Sequence, residues 1–501
     1  MPRPKLLSMT ISAIALSLAS PALAVTAEEL WAEWQAQATA LGQTMTAAEV
    51  VPASGSLTLR GFSSSFSDGE VSTVGRVDEI VMTENADGSV AIDMSDVYAI
   101  TISFTDLPGD PPVNIGVNMI MPDLVMTARG DVGARIYDYS ASRITFEEGP
   151  ITGGNGIQPT IDMTIGVEDL TATYQVDGTN PENIAYTTSS EIGGIAGAID
   201  ILPPPDEEGR LKLTFALGPT SLTGSGQLGN LAELASNPEI MPTDFDLNGD
   251  ITYGSASFEM TFEHPTDAFN AFASNEGGSL RTVFSESALE YRITTTGSSS
   301  YFAGGGSPVP IEYSVGSAEI ALRVPLGTAT DPQPVAARLA FQDVDVGDGV
   351  WAMADPAASF PRDPITVIAD ISGNIRVLTD LLHPDAAGAA MFGQSPAELV
   401  DMTVNELRVS VGGATLSGSG SATFAPGPVP MPVGSVDLQL SGGNALLDRL
   451  QASGLVPIEQ LAMARGLLGA FARPGATPDT LESTIQFTEG GGITANGVPL
   501  Q

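Results

Sequence analysis

From about residue 55 onward, apolar side chains recur at every second position. Leu57 and Leu59, Ile80 and Met82, and Val90, Ile92 and Met94 alternate with polar neighbours, and Asn85-Ala86-Asp87-Gly88 supplies the turn of a hairpin. The same alternation returns at Phe258, Met260, Phe262, at Leu289, Tyr291, Ile293, at Ile320, Leu322, Val324, at Leu407, Val409, Val411 and at Val436, Leu438, Leu440. One side of each run is apolar and the other carries Thr, Ser, Glu or Arg, as an antiparallel sheet wet on one face requires. No fixed repeat length appears, so a solenoid is not supported.

Helical spacing is confined to a few places. Thr26 and Glu29 have the separation of a capping box, Leu30, Trp31, Trp34, Ala38 and Leu41 share one face, and Gly42 closes the segment. This helix should pack its aromatic face against the β body as a lid or plug. Segments 228–236, 266–273 and 376–392 have weaker helical spacing. Near the C-terminus, Leu446, Leu447 and Leu450 precede Gly454, and Pro457 opens a second helix carrying Leu461, Ala464, Leu467, Leu468 and Phe471. The expected fold is mainly β: a large antiparallel, curved or folded-over sheet assembly with a short N-terminal helix and a C-terminal helix pair. Pro203-Pro204-Pro205, Gly304-Gly305-Gly306-Ser307-Pro308 and Ala425-Pro426-Gly427-Pro428 are candidate boundaries or long hairpin loops. The corresponding division is 25–44 for the helix, 45–310 for one β-rich lobe and 311–501 for a second with the helical hairpin, or one unit continuous across both.

The first residues change the picture from a generic β protein to an exported one. Arg3 and Lys5, the apolar run from Leu6 to Leu18 and Ala22-Leu23-Ala24 follow the order of a cleavable signal peptide over residues 1–24. No later stretch reaches the roughly 20 apolar residues of a membrane-spanning helix. The expected location is the periplasm, or the medium outside the cell.

Charge narrows the partners. The chain has 60 acidic residues against 19 basic ones; without Arg3 and Lys5 the balance is 17 minus 60, or −43, with Lys212 the one remaining lysine. Nucleic acid and anionic headgroups are poor partners for such a surface. An apolar content of 43% is too high for disorder, and with no cysteine the packing is held without disulfides.

Candidate chemistry is sparse. Asp244, Asp246, Asn248 and Asp250, with Gly249 in sixth place, match the opening of a calcium loop, but the twelfth position is Ser255; Asn248-Gly249 equally reads as a hairpin turn. Asp343, Asp345 and Asp348-Gly349 pose the same choice. His264 and His383 both precede proline and read as boundary residues. No Gly-x-Ser-x-Gly elbow with a histidine partner, Walker loop or strand-linked dinucleotide fingerprint is present. Aromatics at 6% and the ending Pro499-Leu500-Gln501 do not suit an outer-membrane barrel.

The C-terminal Gly492-Ile493-Thr494-Ala495-Asn496-Gly497-Val498-Pro499-Leu500 forms a short strand, a turn and a Pro-Leu end. With the leader, the Trp31/Trp34 helix and the β body, the chain resembles an exported Gram-negative family filed as domain of unknown function 2125, over nearly all of its mature length. The terminal pattern also resembles AsmA-like envelope proteins, whose folded-over sheets imply a lipid-lined groove. Neither resemblance supplies catalytic residues. The expectation is a non-enzymatic periplasmic envelope protein that binds lipid or another envelope component on an apolar sheet face. Its rivals are an acidic calcium-binding exoprotein and a carboxylate-dependent hydrolase.

Overall fold

The computed structural model describes residues 25–40, 42–67, 70–105, 111–154, 158–180, 183–205, 207–229, 244–382, 395–425 and 431–500. The expected signal peptide lies outside them, as does His383. Backbone contacts group the chain into two units, Met1–Glu233 and Leu234–Gln501.

The first unit opens with helix α1 (Ala27–Ala40) and continues through β1 (Gln43–Ala53), β2 (Ser56–Ser67), β3 (Val71–Glu84), β4 (Val90–Met94), β5 (Val97–Phe104), β6 (Val113–Ile120), β7 (Val125–Asp131), β8 (Ala134–Gly153), β9 (Thr160–Asp177), β10 (Ala185–Ile192), β11 (Gly194–Leu202), β12 (Arg210–Leu217) and β13 (Thr220–Leu228). The capping box forms as its spacing predicts: the Glu29 amide donates to Thr26 Oγ1 at 3.2 Å and the Thr26 amide to Glu29 Oε2 at 3.1 Å. Asn85 to Gly88 makes the turn between β3 and β4, with the Gly88 amide on the Asn85 carbonyl and φ of 85° at Gly88.

Helix α1 packs on the apolar side of these strands. Leu30 and Trp31 join Leu57, Leu59, Ile80, Met82, Val90 and Ile92 in one buried cluster, and the Trp31 indole meets the Phe62 ring edge-on at 6.1 Å. The plug expected from the aromatic face is present.

The second unit contains β14 (Phe245–Tyr253), β15 (Ala256–Glu263), β16 (Phe269–Asn275), β17 (Gly277–Ser285), β18 (Ala288–Gly304), β19 (Ile311–Pro325), β20 (Gln333–Val346), helix α2 (Asp348–Ala354), β21 (Ile365–Val377), β22 (Ala397–Val411), β23 (Ala414–Ala425), β24 (Met431–Ser441), the helix pair α3 (Gly443–Ser453) and α4 (Ile458–Phe471), then β25 (Arg473–Pro474), β26 (Thr480–Phe487), β27 (Ile493–Ala495) and β28 (Val498–Pro499). Strands β18 to β24 pair antiparallel in sequence order. The glycine run at 304–306 lies at the tip of the β18–β19 hairpin, whose last pair is Phe302 opposite Ile311, so strand pairing crosses the division expected between 310 and 311.

Four local expectations meet the described structure as follows. Segment 266–273 is not helical: Phe269, Ala271 and Ala273 alternate along β16, which is paired on one side with β15 and on the other with β18. Two ladders of backbone hydrogen bonds override a weak helical spacing. Segment 376–392 begins as the end of β21 at Arg376 and Val377, and 228–236 begins at the last residue of β13; their remainders from 383 and from 230 lie outside the described residues. Asn248-Gly249 is not a turn, because both residues are paired inside β14, opposite Val283 and Thr282.

The C-terminal helix pair appears where expected, closed at Gly454 with φ of 68° and reopened after Pro457. The start of α3 is capped from a distance: the Asp479 carboxylate accepts the amides of Asn444 and Ala445, each at 3.1 Å. The final Asn496-Gly497 turn is also as expected, with φ of 48° and 83°.

Candidate functional site

In a sheet, residues directly opposite one another point to the same face. Following the registers from β14 through β17 to β24 and on to β26, one row runs Ile251, Leu280, Ile293, Ile320, Leu339, Ala369, Leu407, Gly418, Leu438, Ser483. The neighbouring row on the same face runs Gly249, Thr282, Tyr291, Leu322, Ala337, Ile371, Val404, Gly420, Val436, Ile485. No charged residue interrupts either row. At about 4.8 Å per strand the uncharged face extends roughly 43 Å along the hydrogen-bonding direction.

This face is left open. Ile320 is 41% exposed and Leu322 and Leu339 are each 40% exposed, although they sit in interior strands where such side chains are ordinarily buried. The two clusters of fully buried apolar residues found among the described residues both belong to the first unit.

Glycines and one aspartate mark a change of phase in the long strands. Alternation in β18 is odd-numbered up to Thr295 and even-numbered from Ser298; in β19 it is odd-numbered up to Val315 and even-numbered from Ala318. The ladder skips Gly297 and Gly316 between these stretches. Gly297 has φ of 58° and Asp343, at the matching break in β20, has φ of 55°. These breaks coincide with the change of parity in the apolar positions, while the register between the strands is the same on either side of them.

The opposite face carries an ion-pair ladder. Arg292 lies 3.3 Å from Glu319, whose other oxygen is 3.0 Å from Arg338; Arg338 reaches Asp370 at 2.6 Å and Glu406 at 4.0 Å. Asp370 also accepts the Asn405 amide at 2.8 Å, and the Asn405 and Arg338 donors hold its carboxyl below the ordinary carboxylate range. Every carboxyl among the described residues whose pKa is clearly displaced by its surroundings is displaced downward. These groups are suited to pairing, whereas a glycosidase acid has its pKa raised.

The calcium candidates fall on this polar side of β14. Asp246, Asn248 and Asp250 stand at alternate positions of an extended strand, roughly 7 Å apart in rise. Asn248 donates to Asp246 at 2.9 Å, Asp250 pairs with Arg281 at 3.1 Å, and Asp244 at the strand's start receives no ligand from them but donates its amide to Glu286. The backbone does not wrap these oxygens round a common point. Among the described residues, no group of three or more His, Asp or Glu side chains could hold a metal ion. His264 stacks on Phe262 at 5.7 Å and directly follows the end of β15, a boundary position that suits a residue before proline.

Sequence reading missed the continuity of the apolar face, because alternation gives the phase within each strand while only register joins the rows. It also missed Gln37 on α1 and, on the strands that face this helix, Arg135, Tyr137 and Tyr174. Among the described residues, no helix is long and apolar enough to cross a membrane.

No curated protein and no solved structure matches the chain. Over residues 262–500 the chain matches the model of a family described as an uncharacterized protein conserved in bacteria, DUF2125, so the expected resemblance holds for the stretch that carries most of the open apolar face, while the Trp31/Trp34 helix lies outside it.

Proposed function

We propose that the protein is a non-enzymatic periplasmic envelope protein that accommodates lipid acyl chains along the apolar face of its second unit. The observation that carries this reading is the pair of uncharged rows crossing ten strands, with Ile320, Leu322, Leu339 and Ile371 exposed to 36–41% and the other large side chains partly exposed. Acyl chains fit such a face because they present no polar group that would need a partner there. A protein surface of equal area would bring backbone and side-chain polar groups with it. A net charge of −41 disfavours docking on an anionic bilayer, which favours single lipid molecules lifted onto the sheet. The signal-peptide pattern of residues 1–24 supports a periplasmic location.

The test is mass spectrometry of organic extracts from the protein purified without detergent out of its native periplasm. The expected result is a stoichiometric lipid that is lost in the Ile320→Lys, Leu339→Lys double variant. A blank extract, or lipid retained undiminished by the folded double variant, would overturn the proposal.

A further inference from the structure

Beneath α1 in the first unit lies a cavity of about 360 Å³, within the ~300–1,000 Å³ of small-molecule sites. Its walls are apolar, with Trp34, Phe62 and Met126 among them. Polar side chains also line this space: Gln37, Tyr137 and Tyr174, together with Tyr139 and with Tyr98, whose hydroxyl bonds Ser64. Gln37 is only 8% exposed and Tyr137 only 3%, and Gln37 Nε2, Tyr137 Oη and Tyr174 Oη are all buried without a hydrogen-bond partner. Trp34 and Gln37 stand near enough to the Tyr137 hydroxyl to offset part of the rise that burial gives its pKa, but neither makes a hydrogen bond of ordinary geometry to it.

Such groups are costly when left unmade, and native proteins bury few of them. Here three line one cavity. The amide nitrogen can only donate, and the phenols stay protonated: burial, reinforced by Tyr186 and Tyr137, raises Tyr174 to about 12. The cavity therefore offers donors to an acceptor oxygen. No cation lines it, since Arg135 nearby is committed to Glu33, so a carboxylate would enter without a counter-charge.

We infer that this cavity is a binding site for a small uncharged amphipathic molecule, with an acyl chain or apolar ring against Trp34 and Phe62 and a carbonyl or hydroxyl oxygen held by Gln37, Tyr137 and Tyr174. The site is separate from the sheet face of the second unit and does not depend on lipid binding there.

The experiment is calorimetric titration of the intact exported protein with 1-monolauroylglycerol below its aggregation concentration. In the Ile320→Lys, Leu339→Lys background, which takes away acyl-chain binding at the second unit's face, saturable one-to-one binding is expected. Tyr174→Phe and Gln37→Leu should each weaken it about tenfold, while their unfolding temperatures stay level or rise, because each removes a buried group that has no partner in the empty protein. Absence of saturable binding would leave only water for the cavity and overturn the inference. So would unchanged Kd in both cavity variants.

Discussion

The guanidinium of Arg135 on β8, with no exposed side-chain surface, lies bidentate on the carboxylate of Glu33 on α1, its Nε 2.9 Å from Oε2 and its Nη2 2.8 Å from Oε1. A third donor, Nη1, bonds the Gly130 carbonyl. The pair fastens the helix to the sheet across 102 residues of chain. Removing one partner strands the other charge, so Glu33→Ala or Arg135→Met alone should cost about 3–5 kcal/mol in denaturant unfolding. Replacing both, as Glu33→Leu with Arg135→Met, should recover most of the loss. Equal losses in the single and double variants would show that the charges themselves are not what holds α1.

The two units should respond oppositely to substitution of apolar residues. Leu59, fully buried in the first unit, should cost about 2–5 kcal/mol on truncation to Ala. Ile320→Lys, at a side chain already 41% exposed, should shift stability by only about 0.5 kcal/mol. Urea midpoints of the two variants measure the contrast, and a collapse of Ile320→Lys would mean that the face is packed in solution.

Gly297 should be intolerant of a side chain. Its φ of 58° costs an L-residue roughly 1–2 kcal/mol, and an added Cβ would approach the Glu276 side chain to 2.5 Å. Gly297→Ala is therefore expected to destabilise the protein by about 2 kcal/mol in thermal or denaturant unfolding. Gly306 also has positive φ but nothing within 4 Å of an added Cβ, so Gly306→Ala should cost less.

Acid should act through Asp370. Its carboxyl is held low by Asn405 and Arg338, so the native state binds its proton less readily than the unfolded chain does. That contribution is fully present above the unfolded value near ~3.9 and is lost as pH falls through the lower folded value. Asp370→Asn should thus be less stable than the parent at pH 7, with the difference shrinking as pH falls below about 4. A constant difference from pH 7 to pH 2 would remove Asp370 from the acid response. Protonation of the many other carboxylates relieves repulsion in both proteins, so the comparison isolates this group.

Much of the fold is written locally. The reciprocal Thr26/Glu29 bonds, the Asn85–Gly88 and Asn496-Gly497 turns and the stop at Gly454 follow from residues a few positions apart, where backbone geometry and side-chain reach suffice to decide the outcome. Alternation likewise gives the strands and their apolar sides. Segment 266–273 and Asn248-Gly249 were misleading for the same reason: a weak local preference yields when neighbouring strands satisfy every backbone donor and acceptor.

The candidate sites were not legible in this way. Ile251 and Leu438 share a row, Asp479 caps a helix that begins 36 residues earlier in number, and Gln37 faces the cavity with Tyr137 and Tyr174. The sequence by itself determined an acidic, cysteine-free antiparallel β protein with one apolar side to each strand. Only the tertiary structure decided that α1 covers that side in the first unit while the rows of the second unit join into an open face, because coverage and register depend on which distant strands pair, and alternation along one strand is blind to both.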